Sequence, residues 1–114
     1  MAEEKINPIR LKYEDGTVYT LEFSAKTVKE AEGAGFVIQD VLKKPMTLIP
    51  LLFFYSFRMH HPTISKKKTD SILEDDLGGL SESMQERLIE LYFAPMEGLG
   101  GGETPKNPTM AVEM

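Results

Sequence analysis

Residues 48–59 read LIPLLFFYSFRM and lie in the most apolar part of this chain of 114 residues. If the segment is helical, apolar side chains cover most of its circumference: Leu48, Leu51, Leu52, Tyr55 and Met59 on one stripe, with Ile49, Phe53, Phe54 and Phe57 beside it. A helix that is apolar almost all round must be covered on several sides. We therefore expect either the central core helix or a helix shared between the core and a protein partner.

The same stretch is too short to cross a membrane. Its uncharged run covers only residues 45–57, whereas a spanning helix needs about 20 apolar residues. The first 20 residues hold four acidic side chains and no continuous apolar run, so no secretory signal is predicted. In the absence of such signals, the expected location is the cytoplasm.

A β-hairpin is predicted upstream, over residues 8–23. Apolar and polar side chains alternate over residues 9–13 and again over 19–23, which is the period of strands with one buried face. Asp15 and Gly16 between the two runs predict a type I′ turn, which needs two positive φ angles. Because an isolated hairpin is marginal in water, this one must pack on other elements.

Two further features precede and open the apolar helix. Ser24 is expected to cap a helix that ends near Ala34. Residues 36–44 fit either a short helix or a loop. Thr47 is the expected cap of the apolar helix, which would place Pro50 in the first turn, where proline is tolerated.

Two helices are predicted downstream. Ser65 opens one that reaches about Leu77, where the glycines at 78–79 break the chain, and Ser81 caps another that ends before Pro95. We therefore predict one α+β domain over residues 1–97, with an N-terminal β-hairpin packed on four to five short helices. The remaining residues, 98–114, are rich in glycine and are predicted to be disordered.

Charge and residue types exclude several classes of function. The formal net charge is −5, whereas a general nucleic-acid binder carries a basic patch. The chain has no cysteine, which excludes thiolate zinc sites and cysteine nucleophiles. His60 and His61 are adjacent, so on a helix they point about 100° apart and do not chelate one ion. We predict a non-enzymatic protein without cofactor or metal, and without nucleic-acid or membrane partners.

The helix from Ser65 carries charges that oppose its macrodipole. The clusters are Lys66, Lys67 and Lys68 at its N-terminus and Glu74, Asp75 and Asp76 at its C-terminus. Each exposed charge so placed costs about 0.3–1 kcal/mol. Two interpretations stay open: a solvated face whose packing overrides the charges, or head-to-tail self-association in which the lysines of one subunit meet the acids of the next.

An ordered series of short motifs runs through the chain: YTLEF at 19–23, KTVK at 26–29, ExAGFVI at 32–38, KPMT at 44–47, LLF at 51–53, MHH at 59–61 and KTDxIL at 68–73. On these motifs the chain resembles the small tail assembly chaperones of siphophages that infect Gram-positive hosts. Their genes lie between those of the major tail tube protein and the tape measure protein.

The resemblance implies a chaperone that binds the hydrophobic tape measure protein and keeps it soluble while major tail tube protein subunits are recruited. Such a protein would act in the host cytoplasm and be absent from the mature virion. Two alternatives stay open. One is a structural or completion protein of the tail that remains in the virion, and the other is a small prophage regulatory adaptor.

Under this resemblance the apolar helix is the expected client-binding element. The side chains expected to contact the client are Leu48, Leu52, Phe53, Phe54, Phe57 and Met59. The methionines that supply adaptable side chains for such a client, or fill the core, are Met46, Met59, Met84 and Met96. The charge-clustered helix is expected to order copies of a homo-oligomer along the client.

Overall fold

A computed structural model describes residues 6–98 of the chain. In this part the elements are β1 (Ile9–Lys12), β2 (Val18–Leu21), α1 (Ala25–Gly33), α2 (Pro45–Phe57), α3 (Lys66–Ser71) and α4 (Glu82–Phe93). Two 3₁₀ turns lie at Ile38–Asp40 and Ala94–Gly98, and a π-helical stretch, Ile72–Asp76, continues α3. We call this stretch the π segment. The predicted α+β fold, a hairpin with four to five short helices, is confirmed. The predicted tail lies outside the described residues from residue 99 onward.

The loop of the hairpin differs from the predicted type I′ turn. Gly16 has a φ of +95°, but no other residue type in the described part has a positive φ, so Asp15 does not supply the second one. The Gly16 N–H donates to the Tyr13 carbonyl at 3.0 Å, and the Tyr13 N–H donates to the Thr17 carbonyl at 2.8 Å. This is a three-residue loop, a type I turn followed by a glycine in the left-handed region.

Helix α2 lies at the centre of the fold and contacts α1, α3, α4, β2 and the first 3₁₀ turn. Its buried residues are Leu52, Phe53, Tyr55, Ser56 and Phe57. All five belong to the C-terminal half of the helix. The expectation of a central core helix is therefore met by this half.

The start of α2 differs from the prediction. The helix begins at Pro45, and Lys44 precedes it without a side-chain capping bond. Thr47 is thus inside the helix rather than its cap, because a proline at the first helical position has the required φ and needs no N–H partner. The earlier start also places Pro50 in the helix interior, where it removes the N–H that would bond to the Met46 carbonyl.

The hairpin is fastened to the C-terminal end of α2 by backbone hydrogen bonds. The Glu22 N–H donates to the Ser56 carbonyl at 2.8 Å, one of the last carbonyls that the helix itself cannot satisfy. Two residues earlier, the Thr20 N–H donates to the Nε2 atom of His61 at 3.0 Å. The outer edge of β2 is therefore closed by the end of α2 and the residues that follow it.

Aromatic rings also pack between the hairpin, α2 and α4 in the core. Phe57 meets Phe53 at a centroid distance of 4.9 Å and Tyr19 of β2 at 5.5 Å. On the other side, Tyr92 of α4 packs edge-on against Phe23 at 5.1 Å and Phe36 at 5.5 Å. Edge-to-face pairs of this kind add about 0.5–1.5 kcal/mol to the burial of the rings.

The predicted helix starts at the three serines are confirmed. The side chain of Ser24 accepts the Thr27 N–H, that of Ser65 accepts the Lys68 N–H, and that of Ser81 accepts the Met84 N–H. Each bond satisfies one of the free N–H groups of a first helical turn.

Truncating Phe53 to alanine should destabilise the protein by about 3–5 kcal/mol, because its ring is fully buried and its removal leaves a cavity. Chemical denaturation of the purified variant measures this loss. Phe93→Ala is the matched control, since that ring is 40% exposed and its loss should cost much less. Equal losses in the two variants would contradict the assignment of Phe53 to the core.

Candidate functional site

The structure divides the six residues expected to bind a client into three groups. Leu52, Phe53 and Phe57 are 0–1% exposed and form part of the core. Leu48 and Phe54 are half-buried and pack against that core, whereas Met59 is 40% exposed. The three core residues have no surface to offer a client, because the hairpin and the other helices cover them. We therefore remove them from the client-binding set.

Exposed apolar side chains lie instead around the N-terminal end of α2. Met46 is 91% exposed and Leu42, in the turn before the helix, is 82% exposed. Val37 in the same stretch is 44% exposed. Sequence reasoning gave Met46 only a general role as an adaptable side chain, and it assigned Leu42 only to the stretch 36–44, which fits either a short helix or a loop. Periodicity could not have shown that Leu42 is exposed, since it reports which residues are apolar and not which neighbours cover them.

An apolar groove of about 480 Å³ opens beside Met46. We call it the α2 groove. Its lining residues come from the start of α2, the π segment, the loop after it and α4: Pro45, Met46, Ile49, Pro50, Leu73, Glu74, Gly78, Gly79, Leu80 and Gln85. Most of these side chains are apolar, so the groove fits apolar side chains of a partner better than a polar small molecule.

The π segment and two glycines shape one wall of this groove. The Leu77 N–H reaches back to the Ile72 carbonyl at 2.9 Å, and the Gly79 N–H reaches the Leu73 carbonyl at 2.8 Å. Gly78 and Gly79 have φ angles of +67° and +106°, which side-chain-bearing residues rarely adopt. The chain therefore leaves the helix abruptly and turns toward α4 without side chains at the corner. Short π-helical stretches often occur at functional sites.

The polar groups of the groove are few. The Gln85 side chain donates to the Leu80 carbonyl at 3.0 Å, and this bond joins α4 to the loop that precedes it. Glu74 is exposed at the rim. The groove therefore presents a mainly apolar surface with one carboxylate, and such a surface is typical of protein–protein interaction sites.

The charged clusters of α3 and the π segment are partly used inside the chain. Lys66 Nζ contacts both carboxylate oxygens of Asp70 at 2.6 and 2.8 Å. The Ser71 hydroxyl donates to Asp75 at 3.2 Å. Lys67, Lys68 and Glu74 are exposed, so the predicted self-association surface retains charge at both ends.

Asp76 connects the π segment to the hairpin. Its Oδ2 atom accepts the Tyr13 hydroxyl at 2.5 Å. Burial, followed by this bond and by the negative charge of Asp76, raises the pKa of Tyr13 to about 12. The phenol therefore stays protonated and continues to donate over the whole physiological range.

The two adjacent histidines contact different parts of the hairpin. His60 Nε2 lies 2.8 Å from Glu22 Oε1, and His61 Nε2 accepts the Thr20 N–H. Burial, followed by the neighbouring His60, lowers the pKa of His61 from its ordinary value of 6.5. No group of three or more potential metal-binding side chains occurs within residues 6–98. Sequence reasoning considered this pair as possible metal ligands and missed its contacts with the hairpin.

A small α+β protein with an open apolar groove is the class that this geometry defines. The chain matches a domain of unknown function, DUF5055, over residues 1–114, and it belongs to that family. No curated protein and no solved structure matches it significantly. Across the part of the chain that the structure describes, no helix is long and apolar enough to cross a membrane.

The His61–Thr20 bond should make stability depend on pH. Only neutral His61 can accept the N–H, so the folded chain binds this proton less readily than the unfolded chain does. The free energy of unfolding should therefore fall as the pH drops from 6.5 through the lowered pKa of His61.

Unfolding followed between about pH 5 and pH 8 measures this effect. In His61→Gln the amide oxygen can accept the same N–H without titrating, so the pH dependence should be flatter than in the wild type. His60→Gln leaves the bond intact and removes only the second of the two causes of the lowered His61 pKa, so its pH dependence should stay closer to that of the wild type. An unchanged slope in His61→Gln would show that this bond does not control the pH dependence.

Proposed function

We propose that this protein is a phage tail assembly chaperone that binds the hydrophobic tape measure protein through the α2 groove, and that it acts without catalysis. The observation that carries the proposal is the 91% exposure of Met46, which lines an apolar groove of about 480 Å³. Leu42, in the turn before α2, adds a second apolar side chain that is 82% exposed. Large exposed apolar patches on small proteins mark interaction sites. The resemblance of the chain to tail assembly chaperones supplies the identity of the client.

The apolar lining of the groove suits a helical client. A helix docks in a groove by inserting side chains spaced three and four residues apart, and the apolar walls can receive them. Met46 adds a flexible thioether side chain, which can adjust to different client residues. A chaperone that must cover many similar segments of one long protein benefits from such adaptable contact.

The other steps of tail assembly complete the proposal. The chaperone would hold the tape measure protein in the host cytoplasm, recruit the major tail tube protein, and leave before the virion is mature. A structural or completion protein of the tail would instead remain in the particle. Proteomic analysis of purified virions distinguishes these two roles, since only the second leaves the protein in mature particles.

A charge introduced into the groove should weaken client binding. A fragment of the tape measure protein from the same phage or prophage is co-expressed with the wild type or with Met46→Glu, and the co-purified fragment is quantified. Burying an apolar side chain is worth about 1.5–3 kcal/mol, so Met46→Glu should reduce binding about tenfold or more.

Met59 lies beyond the C-terminal end of α2 and does not line the α2 groove, so under this proposal it leaves the client-binding set. Met59→Glu, which changes the same residue type, is therefore the matched control. This variant should still keep the fragment soluble. If the fragment stays insoluble with the wild type, the chaperone function is contradicted. If Met59→Glu fails while Met46→Glu binds, the function survives but the α2 groove is the wrong site.

We further propose that copies associate head to tail through the exposed charges Lys67, Lys68 and Glu74. Lys66 and Asp76 contribute less, because they already contact Asp70 and Tyr13. Contacts of this heterologous kind build rings or helical arrays, which could extend along a long client.

Sedimentation velocity at low and high salt measures this association. The wild type should form larger species at low salt that dissociate as salt is raised, since exposed charges are screened. The double variant Lys67→Glu and Lys68→Glu should remain monomeric. Lys26→Glu with Lys29→Glu on α1 changes the net charge equally and should still associate. A wild type that is monomeric at all salt concentrations excludes the arrangement.

A further inference from the structure

The hairpin has two outer edges, and the pairing register fixes which backbone groups face them. In an antiparallel pair, residues alternate between those that bond to the partner strand and those that point away. Arg10 pairs with Thr20 and Lys12 with Val18. Since the Thr20 N–H points outward to His61, the N–H and carbonyl groups of Arg10 and Lys12 point outward on the opposite edge.

The two edges differ in what covers them. On β2, the outward N–H groups of Thr20 and Glu22 bond to His61 and to the Ser56 carbonyl. On β1, no hydrogen bond joins the backbone of Arg10 or Lys12 to a group outside the hairpin, among residues 6–98. β1 is therefore an open strand edge within the described chain.

A cleft of about 380 Å³ runs beside this edge. Residues 10–14 form one wall, and Asp76 and Leu77 at the end of the π segment form the other. A strand added to this edge would lie about 4.8 Å from β1, on the side where the cleft opens. The cleft shares no lining residue with the α2 groove, so binding at this edge is independent of the proposed function.

The solvent face of β1 is cationic. The side chains of Arg10 and Lys12 are both exposed, and neither takes part in the salt bridges found in the described region. Leu11 lies between them on the opposite face and lines the cleft together with Leu77. A third strand would therefore need acidic side chains opposite the two cations and apolar side chains between them.

We propose that the edge of β1 binds an extended segment of a partner protein in which acidic and apolar residues alternate. The segment adds an antiparallel third strand to the hairpin, a common mode of peptide recognition. Its backbone pairs with Arg10 and Lys12, its carboxylates face their side chains, and its apolar residues lie toward Leu11 and Leu77. The carboxylates of Asp76 and Glu14 at one end of the cleft repel further acidic side chains. The acidic residues of the segment are therefore restricted to the two positions opposite Arg10 and Lys12.

A second copy of this chain does not fit the same edge. Pairing β1 antiparallel with its counterpart sets Arg10 against Lys12 of the other copy, and like charges directly opposite are destabilising. Lysine on an edge strand is a recognised means of preventing such self-pairing. The same two charges that repel a second copy attract an acidic strand.

The test uses the full chain, labelled with ¹⁵N, and a capped peptide of alternating glutamate and valine. Chemical shift changes should concentrate on the amides of residues 9–13. The double variant Arg10→Glu and Lys12→Glu should bind about tenfold more weakly, since two exposed ion pairs become repulsive. It should also bind a lysine–valine peptide better than the wild type does. Lys26→Glu with Lys29→Glu is the matched control and should bind the glutamate peptide normally.

The pairing of backbone groups provides a second test. Glutamates that face Arg10 and Lys12 must point their N–H groups toward β1, whereas the valines point theirs away. N-methylation of the glutamates should therefore abolish binding, and N-methylation of the valines should leave it nearly unchanged. Three results would overturn the proposal: no shifts on β1 at millimolar peptide, equal effects of the two methylations, or unaltered affinity in the Arg10→Glu and Lys12→Glu variant.

Discussion

The last turn of α2 must be enclosed by the rest of a small protein, and this requirement organises the fold. Phe53 and Phe57 are fully buried there, between the hairpin and the other helices. The hairpin reaches this turn through its backbone, because the Ser56 carbonyl accepts the Glu22 N–H. A two-stranded hairpin is marginal alone, so each element supplies what the other lacks: the strands cover apolar rings, and the helix satisfies the outer edge of β2.

This enclosure also decides where the surface for partners lies. The burial of α2 changes along its axis rather than around its circumference: the C-terminal half is core, and the N-terminal end borders the α2 groove. The π segment lines that groove on one side, and its last residue, Asp76, borders the cleft beside β1 together with the adjoining Leu77. One short stretch thus separates two surfaces of different character, one apolar and one offering a strand edge with cationic side chains.

Local signals in the sequence were sufficient for much of the fold. Serine caps, alternation in the strands and the glycine breaks each act over a few residues, and the structure has a hairpin and helices where they were expected. The site was harder to predict, because periodicity reports which residues are apolar and not which neighbour covers them. Phe53 and Met46 look alike by that measure, yet one is fully buried and the other 91% exposed. Asp15 and Thr47 were misassigned for a related reason: each had a side chain suited to the role, but loop length and Pro45 decided the geometry.

Pro50 interrupts α2 at the boundary between its exposed and its buried part. It lies between the exposed first turns and the buried last turns, and it cannot donate to the Met46 carbonyl. The ladder of backbone bonds is therefore interrupted at the point where the helix passes from surface to core. Interruptions of this kind are where helices bend. A tilt of the first turn would therefore leave the hydrogen bonds after Pro50, and the rings they position, in place.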